Sequence, residues 1–191
     1  MTSPAYAIAG MLALSRREQP TYTAPAVFGS LLPDLPIVLF YAVHKTFLHT
    51  AEGEIWLHAY FLPRWQAVFD SFHSLPLIAI VMIVSWRLTA RNAFVVSAAM
   101  ALHVLLDLPF HHGDAHRHLF PFSNWRFVSP VSYWDPRHFG HSMFWIESVF
   151  VLVGGAILLR RHHTHGSRLT VVTIVASYFA FVGYSVWVWV L

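Results

Sequence analysis

The sequence predicts an all-α fold: a polytopic membrane helix bundle of about five to six transmembrane or partly spanning helices, with a long His-rich loop. Three observations lead there. Of 191 residues, 57% are hydrophobic and 11% charged, less than half the roughly 25% charge of a soluble domain, so the chain cannot cover itself with a water-compatible surface. The apolar residues gather into six runs, four of them near the roughly 20 residues that cross about 30 Å of hydrocarbon. The basic residues sit in short clusters between those runs, so the pI near 9.5 reflects membrane topology rather than affinity for nucleic acid.

The first run, Pro4–Leu14, is short and is expected to reach only partway across. No Lys or Arg precedes it, so it reads as a retained helix rather than a cleaved leader. Arg16 and Arg17 follow it and place that end inside. The second run, Ala24–Val43, then travels outward. Pro33 and Pro36 flank its Asp34, and a break or kink is expected there. Arg64–Trp86 returns inward, Asn92–Asp107 goes outward, His141–Leu159 inward, and Leu169–Leu191 closes the set. On this alternation the short inside loops hold Arg16, Arg17, Arg87, Arg91, Arg160, Arg161 and Arg168, seven of the 12 basic residues. The long non-apolar stretch Leu108–Gly140 faces out, expected to be the periplasmic side of a bacterial inner membrane. Nothing in the chain marks a second domain or a repeat, so residues 1–191 read as one integral membrane domain.

Composition excludes several function classes. Zero Cys removes disulfide frameworks, thiolate metal sites and thiol nucleophiles. No Gly-x-Ser-x-Gly elbow supports a serine esterase, and no Gly-x-x-x-x-Gly-Lys loop cradles phosphate. No basic and aromatic face is long enough for nucleic acid. What remains is an excess of imidazole: 14 His against 12 Lys+Arg and 9 Asp+Glu. Histidine is the commonest neutral metal ligand. Arg160 and Arg161 with His162, His163 and His165 read as an inside anchor, and the tryptophans as interfacial belt residues.

A carboxylate inside a transmembrane helix is costly and marks a site by default. Four of the nine acids, Asp34, Asp70, Asp107 and Glu147, lie within or at the ends of apolar runs. The topology sets them at middle-to-outer depth, with His73, His103 and His141. His103 and Asp107 are i,i+4 on one helix face, within reach of one metal ion, and Asp70 and His73 are i,i+3. Irregular backbone around Asp34 is tolerated in a membrane only where it is packed in protein or lines a wet cavity, so Asp34 is expected at an opening. The loop cluster His111, His112, Asp114, His116 and His118 reads as an extra metal site, a proton-relay surface or a wet loop. His111 and His112 are its ligand candidates.

Several motifs occur in order: Gly-Ser-Leu-Leu-Pro-Asp (29–34), Phe-His-Ser (72–74), His-Val-Leu-Leu-Asp (103–107), Leu-Phe-Pro-Phe-Ser (119–123) and Trp-Arg-Phe (125–127). Over Gly29–Glu147 the chain resembles the LexA-regulated, inner-membrane-associated metal-dependent hydrolases. Those proteins carry a Leu-Leu-Pro-Asp turn, a Thr-His-Ser element, a His-x-x-x-Asp helix and a Pro-containing loop. The resemblance implies that Asp34, His73, His103 and Asp107 are metal ligands, and Glu147 matches a glutamate of the family's next helix. The chain departs from the pattern where the family has an N-terminal histidine (here Tyr6 or Ala7), where its turn continues to Asp and His (here Pro36 and Ile37), and where it has Thr before the histidine (here Phe72).

The expected activity is metal-dependent hydrolysis within the membrane. Imidazole and carboxylate donors suit Zn²⁺ first, with Mn²⁺ and Fe²⁺ as alternatives. Asp34, His73, His103 and Asp107 hold the ion, and a metal-bound water whose pKa falls towards ~7 is the nucleophile. Asp70 or Glu147 is the general base or an orienting residue, and Arg117 or Arg126 clamps an anionic head group. The depth of the cluster points to a lipid-like or lipid-linked ester or phosphoester, with membrane lipids as surroundings. The alternative is a non-catalytic accessory or assembly subunit with membrane-protein partners. The departures from the family pattern, the short first run and the aromatic last segment, with its small residues Ser177, Gly183 and Ser185, favour it. A metal or proton transporter ranks third, because the inner half offers little polarity beyond Ser85 and Ser97.

Overall fold

The short first run forms the centre of the molecule, not its margin. In the computed structural model, which describes residues 1–189 without the side chain of Trp189, helix α1 (Ser3–Leu14) buries every residue from Ala5 to Met11. Its alanines and Gly10 make it thin, so α2 (Thr23–Leu31), α7 (Arg91–Asp107), α8 (Gly140–Arg161) and α9 (His165–Trp189) all pack against it. A Cβ on Gly10 would fall 2.0 Å from the Ser30 hydroxyl, and one on Gly29 would fall 2.2 Å from the Val96 carbonyl. Only glycine permits both approaches, and together they clamp α2 between α1 and α7. The far end of α1 is capped by Arg161, which donates to the carbonyls of Leu12 and Ser15, the favourable place for a cation on a helix. His162 there is buried against the Ser15 hydroxyl.

The second run breaks as expected. After α2 the chain turns through Leu32, Pro33 and Asp34 and resumes as α3 (Leu35–Ala42), bent by 60°. Pro33 has no N–H to continue the ladder. The break leaves the Ser30 carbonyl without a helical partner, which matters for the site. The third run is also interrupted: α5 (Pro63–Phe72) stops at His73, and Ser74 caps α6 (Leu75–Arg87) by accepting from the Leu77 N–H. A short helix, α4 (Glu52–Leu57), lies between the second and third runs. Beside it Phe40, Ile55, Tyr60 and Phe69 form a second apolar cluster.

The segment after α7 has no long element, yet it is anchored closely. Its backbone bonds tie Ser129 to His111, Tyr133 to Phe110 and Leu75 to His118, and Ser74 donates to the Phe120 carbonyl. The bonds from Ser74 and Leu75 hold the segment against the α5–α6 break, and its His111, His116 and His118 are buried.

Among the described residues there is no strand, and the helices Pro63–Arg87, Arg91–Phe110, Gly140–Arg161 and His165–Val188 are each long and apolar enough to cross a membrane. Counted as one bent span, α2 and α3 make a fifth. The chain is thus an all-α membrane bundle. The last expected run, Leu169–Leu191, begins earlier, at His165, and its residues 190 and 191 lie outside the described residues.

Candidate metal centre

Three imidazoles converge, each held the same way. His103, on α7, points Nδ1 at the Ser30 carbonyl freed by the α2–α3 break, 2.7 Å away. His73, at the end of α5, points Nδ1 at the Phe69 carbonyl at 2.9 Å. His116, in the folded-over segment, points Nδ1 at Asp70 Oδ1 at 3.3 Å. A carbonyl or carboxylate oxygen can only accept, so in each ring Nδ1 carries a proton, and wherever the ring is neutral Nε2 keeps its lone pair. Histidine ligands in metal sites are oriented in this manner. The His73 and His116 rings stack with centroids 3.9 Å apart, and Tyr6 stacks on His103 at 3.7 Å.

The two carboxylates share the pattern. Asp34 Oδ2 accepts from the Ser3 hydroxyl at 2.5 Å, while Oδ1 lies 3.7 Å from His73 Nε2 and 3.6 Å from His103 Nε2. Those gaps are too long for hydrogen bonds. They approach the separation of about 3.4 Å between two ligand atoms each ~2.1 Å from one tetrahedral ion. Asp107 Oδ1 accepts from the Tyr6 hydroxyl and contacts His111 Nε2 at 2.7 Å, leaving Oδ2 buried and unpartnered, as is His103 Nε2. Ligand atoms of Asp34, His73 and His103 lie within 4.8 Å of one another, as do those of His73, Asp107 and His116. Two overlapping groups joined at His73 could therefore hold a metal ion.

Charge points the same way. Among the described residues, neither Asp34 nor Asp107 pairs with a Lys or Arg. Each buried polar atom without a partner costs about 1–3 kcal/mol, and a buried carboxylate more. A divalent cation in either group would give an orphaned atom a partner and offset the charge of the acid there. Burial and the neighbouring His73 push His116 down to about 4, against the pull of Asp70, so this ring is neutral, as a ligand must be. Asp34 is the member that keeps some exposure, with 17% of its side chain open.

The structure also separates residues that the sequence grouped together. His111 lies beside the cluster but has both nitrogens turned to acids, Nε2 to Asp107 and Nδ1 to Asp114 at 2.9 Å. Burial lowers its pKa, yet the two carboxylates outweigh this and hold it up at about 9. It faces Asp107 and Asp114 and falls outside the two groups that could hold an ion. His112 lies outside both groups: it bonds the Ser129 carbonyl and stacks on His138. Asp70 does not face the cluster; His116 and Arg117 occupy its two oxygens, with the Arg117 Nε contact at 2.5 Å. Of the two roles expected for it, only that of orienting residue fits this position. Glu147 is also away from the cluster, with Oε1 accepting from the backbone and hydroxyl of Thr2. The head-group clamps are engaged elsewhere: Arg117 on Asp70 and Asn124, Arg126 on Ala115 and Gln66.

Three residues at or beside the site were named in the sequence reading but not singled out as ligands. His116 was one histidine in a dense cluster and nothing in its spacing singled it out. Tyr6 stands where the resembled family has a histidine, and it reaches the cluster through Asp107. His118 is buried beside His116 with both ring nitrogens unpartnered. No family model, curated protein or solved structure matches the chain.

Proposed function

We propose that this protein is a membrane-embedded metal-dependent hydrolase acting on a lipid-like or lipid-linked ester or phosphoester. A metal ion would be held by His73 with Asp34 and His103, or by His73 with Asp107 and His116. The observation that carries the reading is the shared orientation of the three imidazoles, each with Nδ1 at a fixed acceptor, beside Asp34 and Asp107, two buried acids that no Lys or Arg pairs among the described residues. Nitrogen and oxygen donors in this mixture suit Zn²⁺, with Mn²⁺ or Fe²⁺ as alternatives.

When bound, such an ion supplies a Lewis acid that polarises a carbonyl or phosphoryl oxygen and lowers the pKa of water. The chain's own residues do the positioning. Asp70 fixes the His116 ring and is itself fixed by Arg117. Ser3 and Tyr6 hold the outer oxygens of Asp34 and Asp107, so that the inner oxygens keep their direction. Access for water and substrate runs past Asp34, the least buried donor. The motif order shared with the inner-membrane hydrolases supports the reaction class. The clusters of basic residues support an orientation with the His-rich segment on the outer side, and a bacterial inner membrane rests on the resemblance alone.

The test is to purify the protein in detergent, measure bound metal, and assay ester and phosphodiester cleavage before and after His103→Ala and His116→Ala. Metal near one equivalent and activity lost in both variants is the expected result. Bound metal without activity, together with stoichiometric co-purification of other membrane subunits, would instead select a non-catalytic assembly role.

A further inference from the structure

Among the described residues, His118 is the one histidine with both ring nitrogens buried and unpartnered. The residue is only 2% exposed. In any protonation state an imidazole carries at least one N–H, and a buried donor without an acceptor costs stability. Native folds leave few such groups, and each calls for a reason. The neighbouring backbone keeps the ring where it is. The His118 carbonyl accepts from the Leu75 N–H at 2.9 Å. On one side Arg117 binds Asp70 through its backbone N–H at 3.0 Å and through its Nε, and its guanidinium lies 4.8 Å from the centre of the Phe120 ring. On the other, Ser74 donates to the Phe120 carbonyl. The chain before and after His118 is thus tied to α5 and to the α5–α6 break, and the ring cannot swing to solvent without undoing those bonds.

The ring stands edge-to-face against His116, with centroids 6.4 Å apart. His116 belongs to one of the two groups that could hold an ion, and His118 belongs to neither. A donor beside a ligand ring yet outside the ligand set is placed for what an ion binds rather than for the ion. The residues that the sequence offered for that contact are engaged: Arg117 on Asp70 and Asn124, Arg126 on the Ala115 carbonyl and Gln66. His118 is the buried donor beside the cluster that keeps its hydrogen-bonding capacity.

We propose that His118 donates a hydrogen bond to an oxygen of the ester or phosphoester bound at the ion. This rests on the metal centre and hydrolase reading above and supplies the substrate contact that reading lacks. A donor fixed in place before substrate arrives needs no reorganisation, which is how such groups stabilise charge developing on oxygen. The stability lost to an unpartnered imidazole is then the cost of holding that donor ready.

The test uses the full-length protein in detergent, loaded with Co²⁺, whose visible absorption reports its ligands, and titrated with inorganic phosphate or octyl phosphate. The wild type should show a saturable spectral change with each. Tighter binding of octyl phosphate marks a lipid-borne phosphoester as the source of the oxygen, and equal binding marks free phosphate. His118→Leu should keep its Co²⁺ content and its phosphate-free spectrum, and raise the phosphate Kd roughly tenfold or more, as loss of a hydrogen bond to a charged acceptor does. It should also melt about 2–4 °C higher, because the orphaned nitrogens are gone. His118→Gln keeps an N–H donor and should recover part of the phosphate affinity. A phosphate Kd unchanged in His118→Leu overturns the proposal and assigns the nitrogens to bound water. Loss of Co²⁺ from both variants overturns it too, by making His118 a ligand. Phosphate binding that depends on His118, without cleavage of ester or phosphodiester, leaves the contact standing and removes the hydrolase. A wild type that takes up no Co²⁺ removes the metal centre and the contact together.

Discussion

The Nδ1 of His103 and the carbonyl oxygen of Ser30, 2.7 Å apart, join a spanning helix to the break in its neighbour. A helix that continued through Pro33 would use that carbonyl itself. The proline break thus has a chemical consequence: it provides the acceptor that orients one imidazole. His73 gains its acceptor from the last turn before the second break, and His116 from Asp70. Three unrelated pieces of backbone and side chain impose one tautomer on three rings.

Ligand identity is the first prediction. His116→Ala and His103→Ala should each lower metal affinity by well over tenfold, whereas His112→Ala should leave it unchanged. Asp70→Asn acts through His116 and should cost about 10–100-fold, the usual effect of removing an orienting partner. Titration against a fluorescent metal indicator at fixed pH measures all four.

Glycine packing is the second. Gly29→Ala forces a methyl group to within 2.2 Å of the Val96 carbonyl, so α2 and α7 must separate. Overpacking of this kind costs about 1–3 kcal/mol, and the shift moves Ser30 away from His103. Thermal melting should fall and bound metal should fall with it. Gly53→Ala, with open space around its Cβ, is the matched substitution and should change neither.

The helical fold and the break at Asp34 were legible in the sequence, because apolar run length and proline chemistry act locally. The i,i+4 spacing put His103 and Asp107 on a shared helix face, but in the structure they belong to different groups that meet at His73. Selecting among His111, His112 and His116 was not legible. That choice depends on how an irregular segment folds back against the α5–α6 break, and no periodicity encodes it. The same limit hid Tyr6, whose distance from Asp107 in sequence is closed by the burial of α1. Glu147 shows the converse. Its place in an apolar run marked it as a site residue, but Thr2 satisfies its carboxylate.

A pH dependence follows from Glu52, which lies outside the spans. Partial burial raises its pKa, but Lys45 at 2.7 Å and the hydroxyls of Tyr41 and Tyr184 outweigh this and hold it below the usual carboxylate range. A depressed carboxylate contributes stability above its unfolded pKa of about 4.3, and that contribution fades as pH falls through the lower folded value. Glu52→Gln should therefore flatten the loss of thermal stability on acidification below about pH 4.3. The difference should be under ~1 kcal/mol, since the pair is partly solvated.

Metal removal should be visible in stability. An ion at a hundred times its Kd adds about 2.7 kcal/mol to the folded state, and in a chain of this size each kcal/mol moves Tm by roughly 2–4 °C. Chelation should thus lower the melting temperature of the wild type by about 5–10 °C. His103→Ala should melt lower from the start and show no further response to chelator.

The most direct measurement is X-ray absorption at the metal edge of purified protein, with metal content determined on the same sample. A nitrogen and oxygen shell at about 2.0–2.2 Å, with imidazole scattering that diminishes in both His103→Ala and His116→Ala, is the predicted result. Protein that holds no metal above background, or an imidazole signal unchanged in both variants, would contradict the assignment of these side chains to a metal site.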